Sequence, residues 1–217
     1  MFGAASERIK TIATYIRASK QILEDFGELM TFLNASLPYY VNQAEEVELL
    51  SGSNAGEHLN GMITQATAFS TGLLSSSRGW NTMDIVGRAT QQVAVAKEIP
   101  PTFLVLHPTD WWNMRLTKDS YGRYILGDPQ ADIGHPTLFG LDVVPTTNIA
   151  SGTFLLGSGN PAAVQIRDRM GVTLDISSED ADNFTKNLIT VRCEKRLALV
   201  VRRAASLITG SFNYSPA

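Results

Sequence analysis

From Leu188 to Leu199 the chain reads LITVRCEKRLAL, and its side chains fall into two rows. Ile189, Val191, Cys193, Leu197 and Leu199 share one parity, while Thr190, Arg192, Glu194 and Arg196 share the other. A period of two puts successive side chains on opposite faces, so the segment predicts a long strand with one buried and one polar face. Two details stand out. The polar row alternates in charge, and Lys195 interrupts the apolar row. Cys193, the only cysteine, lies in that apolar row and has no partner for an internal disulfide. It reads as a small buried hydrophobe and fits a reducing compartment.

A chain of 217 residues with 44% hydrophobic content supports one large domain or two lobes. Charged residues are 18%, against roughly 25% in soluble domains at large. That leaves either a surface that meets neighbours or an ordinary compact domain. A net charge of −3 gives no electrostatic footprint for specific nucleic-acid binding. No apolar run approaches the ~20 residues of a membrane-spanning helix, and MFGAASERIK lacks a signal peptide's apolar core.

Residues 10–18 alternate as a strand. Ser19 reads as the cap of a short helix carrying Ile22, Leu23 and Phe26. Leu29, Leu33, Leu37, Val41, Ala44 and Val47 then mark a helix over 28–50, with Pro38 inside it and a Gly/Ser-rich stop at 51–56. A second helix is expected from about Met83 to Lys97, capped by Asn81 or Thr82 and ended by Pro100-Pro101. TFLVL at 102–106 predicts a strand buried on both faces, followed by a helix that begins DWW at Asp110. Residues 118–137 predict a long loop, and strands follow at 140–145, 153–157, 163–168 and 171–177, with a last segment at 205–212. Helices and strands mix without a βαβ rhythm, so the fold class is α+β.

Catalytic motifs are missing from the sequence. His58, His107 and His135 have no metal-ligand spacing, and there is no nucleophile elbow, Walker loop or dinucleotide fingerprint. GSGN at 157–160 reads as a turn. Trp111-Trp112 either stacks a ring ligand or wedges one ring into the core.

Three stretches, however, occur in a familiar order: LHPTDWWNMRLTKDSYGRYILGDPQ (106–130), LFGLDVVPTTNIASGTFLLG (138–157) and the run from Asp168 to Phe212. Together with the strand, the Ser19–Leu23–Asp25 turn and the long helix at the front, they resemble the tailed-phage major capsid protein family, with its Hong Kong 97-type fold. The resemblance spans about residues 8–213. It implies a peripheral lobe from 1–58 and 161–199, with the long helix as a spine on long strands. It also implies an axial lobe from 59–160 and 200–217, a central sheet flanked by helices.

The function implied is that of a structural subunit, not an enzyme, that self-associates as pentamers and hexamers into an icosahedral phage or prophage head. The shell would enclose DNA without sequence-specific contact, without membrane, metal or cofactor, in the virion and, before assembly, in the host cytoplasm. Arg192, Glu194 and Arg196 would face another subunit. The loop holding Tyr121, Arg123 and Tyr124 would point to the five- and six-fold axes, and the turn holding Asp180 and Asp182 to the three-fold junctions. Asn187 and Glu194 fall at positions that carry the asparagine and glutamate of a subunit crosslink in some members. The family's extended arm and its lysine-bearing loop would precede residue 10, where this chain has only MFGAASER, so it reads as the folded core without them. An encapsulin-type compartment protein and, more remotely, an α+β hydrolase are the alternatives.

Overall fold

The computed structural model describes residues 7–21, 27–74, 80–126 and 136–212. The chain divides into two compact units, one of Met1–Asn60 with Ile166–Val200, the other of Gly61–Gln165 with Val201–Ala217.

In the first unit β1 (Lys10–Ser19) is followed by the helix α1 (Gly27–Ser51). Residues 22–26, expected as a short helix, lie outside the described residues. The two long strands of this unit are β7 (Val164–Ser177) and β8 (Leu188–Val201), and the sheet order is β1-β8-β7. β1 pairs antiparallel with β8, Lys10 opposite Leu197 and Ser19 opposite Leu188. The sequence suggested two strands broken near Gly171; the structure has one strand of 14 residues. A Cβ at Gly171 would meet nothing within 4 Å, so this glycine tolerates an ordinary edge-strand backbone and breaks nothing.

The parity read from the sequence holds in β8. Val191, Cys193, Leu197 and Leu199 are buried, and Val191 and Cys193 pack with Leu33, Leu37 and Val41 of α1. Burial pushes the Cys193 thiol up from its ordinary range, as expected of a buried, unreactive thiol. The helix differs from its expected stripe. Ala44 is exposed and Val47 is 40% exposed, while Glu45 is buried. The buried line runs strictly by fours, 33-37-41-45, and so delivers a carboxylate to the sheet. Lys195, the break in the apolar row of β8, meets it there, with Nζ 2.8 and 2.7 Å from the two Glu45 oxygens. Asp168 of β7 lies 3.7 Å from the same ammonium.

α1 ends where the chain must turn back against it. A Cβ at Gly52 would sit 2.4 Å from the Leu59 carbonyl oxygen and 2.6 Å from that of Glu48, so only glycine fits. Glu48 holds the returning segment, accepting from the Leu59 N–H at 3.0 Å with the His58 Nδ1 at 2.6 Å.

The second unit begins with α2 (Met62–Gln65) and the two-residue strand β2 (Thr67–Ala68), then α3 (Thr82–Val95), β3 (Phe103–Leu106) and α4 (Pro108–Arg115). β4 (Thr137–Leu138), β5 (Leu141–Pro145), β6 (Thr153–Gly157) and β9 (Ile208–Ser211) complete it, and α5 (Asn183–Lys186) belongs to the first unit. The sheet order is β2-β9-β6-β3-β5-β4, mixed, with β3 parallel to β5 and antiparallel to β6. β3 is interior to the sheet, and Leu104, Val105 and Leu106 are all buried. α3 starts with a capping box in which Asn81 and Asp84 bond each other's backbone N–H region, and it stops two residues short of the expected Lys97. α4 begins at Pro108 rather than Asp110, because the His107 ring accepts the Thr109 N–H at 3.2 Å and caps the helix. Trp111 is in the core and Trp112 is 52% exposed.

Two outcomes test this packing. Leu33→Ala should lower unfolding free energy by about 2–5 kcal/mol, and Asn42→Ala, on an exposed position, by less than about 0.5; equal urea midpoints would contradict the helix-on-sheet arrangement. Lys195→Met and Glu45→Leu should each cost about 3–5 kcal/mol by stranding a buried charge, while the double variant should recover most of that loss. Denaturation of the three proteins decides it, and an unrecovered double variant would show that the pair is not a closed unit.

Candidate functional site

The polar face of β8 sits between two strands. Across it on β1 stand Thr11, Ala13, Tyr15 and Arg17, opposite Arg196, Glu194, Arg192 and Thr190 respectively. Arg192 reaches Asp175 of β7 at 3.2 Å and Glu194 of its own strand at 3.4 Å. Arg196 is exposed and makes no ion pair among the described residues. The three charges therefore share one face, and Arg196 is unpaired there among the described residues.

Toward the β7–β8 turn the same face becomes a network. Arg17 pairs with Asp180 at 3.0 Å and lies 3.9 Å from Asp182, which also pairs with Lys186 one helical turn on. That Lys186 hydrogen bond is the chief reason the Asp182 carboxyl lies below its ordinary range. The Asn183 amide donates to Thr190 Oγ1 at 2.7 Å, and the Thr190 hydroxyl donates to Asp180 at 3.1 Å. An open cavity of about 550 Å³ lies over this end, lined by Tyr15, Arg17, Asp175, Ser177, Glu179, Asp180, Thr190 and Arg192. Arg17, Asp175 and Asn183 were not singled out in the sequence, and Thr190 was named only as a member of the polar row of β8. Arg17 was the most accessible to reasoning, as the one charge on the polar parity of β1.

Asn187 ends α5 in the left-handed conformation, φ 52°, and its carbonyl accepts the Lys20 N–H at 3.0 Å. Glu194 is seven residues farther along extended chain, roughly 20 Å at about 3.3 Å per residue. One copy therefore does not bring the asparagine and glutamate together.

Tyr121, Arg123 and Tyr124 lie in the second unit, in a turn organised by Asp119. Its carboxylate accepts the backbone N–H of Tyr121 and of Arg123, both at 2.9 Å, and the Arg123 Nε at 2.9 Å. Arg123 stands 5.4 Å from the Tyr121 ring and Lys118 4.7 Å from the Tyr124 ring. Tyr121 is 83% exposed. Residues 127–135 of the expected loop lie outside the described residues. Among the described residues there is no cluster of three or more His, Cys, Asp or Glu arranged for a metal ion, and no described helix is long and apolar enough to cross a membrane.

A family model described as the phage capsid family matches residues 1–212. The chain is 41% identical over 212 residues to the major capsid protein of Enterobacteria phage HK97, covering 98% of this chain. It spans about half (54%) of that relative's length. Among solved structures, the capsid of an empty GTA particle matches with TM-score 0.77 at 17% identity, covering 96% of this chain and 74% of the other. A Gordonia phage Cozz structure matches with TM-score 0.75 at 12% identity, covering 98% and 73%. The α+β arrangement is thus the fold of tailed-phage capsid subunits, as the sequence led one to expect. The chain belongs to the phage capsid family, a family of structural proteins.

The Asp119 turn has a definite pH signature. The Arg123 backbone N–H, foremost, holds the Asp119 carboxyl below its ordinary value of 3.8. A depressed folded-state value means the turn's contribution is present above the unfolded value and is lost as pH falls through the folded one. Measured against the intrinsic exchange rate at each pH, the protection of the Tyr121 and Arg123 amides should therefore fall as the protein is acidified below about pH 4. In Asp119→Ala that protection should already be lost at neutral pH and should not change with pH. Exchange in the wild type that is indifferent to this carboxylate would remove Asp119 as the organiser.

Proposed function

We propose that this chain is a tailed-phage head subunit, self-associating through pentameric and hexameric clusters into an icosahedral shell around packaged DNA. The observation that carries the reading is the 41% identity, across 98% of this chain, to a major capsid protein. On this reading the chain acts by contact and carries no catalytic step. The unit holding α1 and the β1-β8-β7 sheet is the peripheral lobe, and the unit holding the six-stranded sheet is the axial lobe. The Tyr121–Tyr124 turn reaches toward the five- and six-fold axes, and the Asp180–Asp182 turn toward the three-fold junctions. A net charge of −3 suits a container that encloses DNA without gripping its phosphates. The protein would reside in the virion and, before assembly, in the host cytoplasm.

The charge row supports this reading in its energetics. Arg192 and Asp175 are 53% and 59% exposed, and exposed pairs of this kind are worth under about 1 kcal/mol. Their partners can be exchanged for a neighbour's at little cost. Arg196 has none to give up. Alternating charges on such a face set register between subunits and reject wrong alignments.

Glu194→Arg places three like charges in the row at positions 192, 194 and 196. The variant should keep the wild-type circular dichroism spectrum yet associate at least tenfold more weakly in sedimentation velocity, since like-charge juxtaposition costs several kcal/mol. Unchanged association would return the row to solvent, and a wild-type chain that stays monomeric at every concentration would count against the shell reading.

A further inference from the structure

The first unit leaves two apolar surfaces open on the side of the sheet that α1 occupies. One belongs to α1 itself. From Leu29 to Ala44 the helix has no charged residue, although a solvent-facing helix surface ordinarily carries charge. Phe32, Tyr39, Tyr40 and Val47 are 62%, 64%, 54% and 40% exposed. Phe32 and Tyr39, like Tyr40 and Val47, are seven residues apart. The two pairs form neighbouring rows about 100° apart around the helix, a broad stripe distinct from the buried Leu33–Leu37–Val41 line on the sheet. The Tyr39 and Tyr40 rings meet edge to face, 5.7 Å between centroids.

The other surface belongs to β7, an edge strand. Ile166, Val172 and Ile176 share the parity of Leu174, which packs against the helix–sheet core, and of Asp168, which reaches Lys195. They therefore face the α1 side, yet they are 48%, 38% and 52% exposed. The helix covers part of its sheet and leaves this row bare.

We infer that the exposed stripe of α1 in one copy docks on the bare β7 row of a second copy, extending the helix-on-sheet packing from subunit to subunit. A second copy fits better than an unrelated protein because one chain carries both halves of the contact. The helix half carries no charge from Leu29 to Ala44, and the one charge in the sheet row, Asp168, is turned to Lys195 of its own chain. Joining unlike surfaces makes the contact head-to-tail, the kind that propagates into rings or larger assemblies instead of closing as a dimer. The four α1 side chains expose roughly 400 Å², about half of the ~800 Å² that one partner contributes to a standard interface. They suffice for its apolar centre. The inference rests on the shell-subunit reading but uses the face opposite the Arg192–Glu194–Arg196 row, so either can fail alone.

Cysteine pairing in the full chain tests it. Tyr39→Cys and Val172→Cys are made separately, carry different tags, and are mixed in equal amounts under mild oxidation; the chain's own Cys193 is buried and stays out of reach. The mixed disulfide should exceed either homodimeric disulfide at least fivefold. A Phe32→Glu/Tyr39→Glu variant with an unchanged melting curve should associate at least tenfold more weakly, while Glu194→Arg should leave the mixed disulfide's share among crosslinked species unchanged. A dominant Tyr39→Cys homodimer would overturn the head-to-tail contact, as would association without any mixed disulfide. A chain that remains monomeric at every concentration would overturn both this contact and the shell reading.

Discussion

The ion pair between Lys195 and Glu45 fixes how the long helix sits on its sheet. Apolar contacts from Leu33, Leu37 and Val41 are enough to hold α1 against β8, but such contacts are tolerant of sliding. The pair is not. Its side chains are 15% and 12% exposed, and both carboxylate oxygens are engaged. A shift of α1 by one turn would bring position 41 or 49 to the lysine and leave two nearly buried charges without partners. Stranding them costs far more than rearranging a few methyl groups. The helix register follows from this, and with it the line of the exposed aromatic stripe and the extent of β7 left uncovered.

This constraint was half visible in the sequence. Lys195 announced itself by breaking the parity of β8, since a two-residue period makes any exception obvious. Glu45 did not. On a helix, spacings of three and four both keep a residue on one face, so Ala44 and Val47 competed with it as core positions and hydrophobicity favoured them. What decided the matter was a partner 150 residues away. The same limit applies to Arg17 and Asp180, 163 residues apart, whereas the alternation in β8 and the capping of α3 are local and could be read directly. β2 and β4 have two residues each and exist because a neighbouring strand offers hydrogen bonds, which no local pattern records. Gly171 was read as a break because glycine in a strand often marks a bulge, but here its backbone remains an ordinary part of the edge.

The sheet of the first unit uses its two faces for different physical purposes. One face is apolar and partly covered by α1, and the buried Lys195–Glu45 pair on it sets geometry. The opposite face carries exposed ion pairs that contribute little to stability and can be remade with another molecule. A subunit that must fold first and assemble afterwards benefits from this division. Contacts that hold the fold are desolvated and costly to lose, while the exposed pairs proposed to meet neighbours are solvated and cheap to exchange.

That division also governs how an assembly of such chains would correct its mistakes. A contact made only of buried charges would be slow to reverse once misplaced, and one made only of apolar surface would accept many alignments. An alternating row such as Arg192–Glu194–Arg196 adds little affinity but penalises a shift of two residues, because each charge then meets its like. An apolar stripe on the other side of the same unit would supply affinity without choosing a register. If both proposed contacts form, affinity and register come from opposite sides of the unit, and neither has to be strong alone: each joint can stay weak enough to reopen while the sum over several neighbours holds the assembly together.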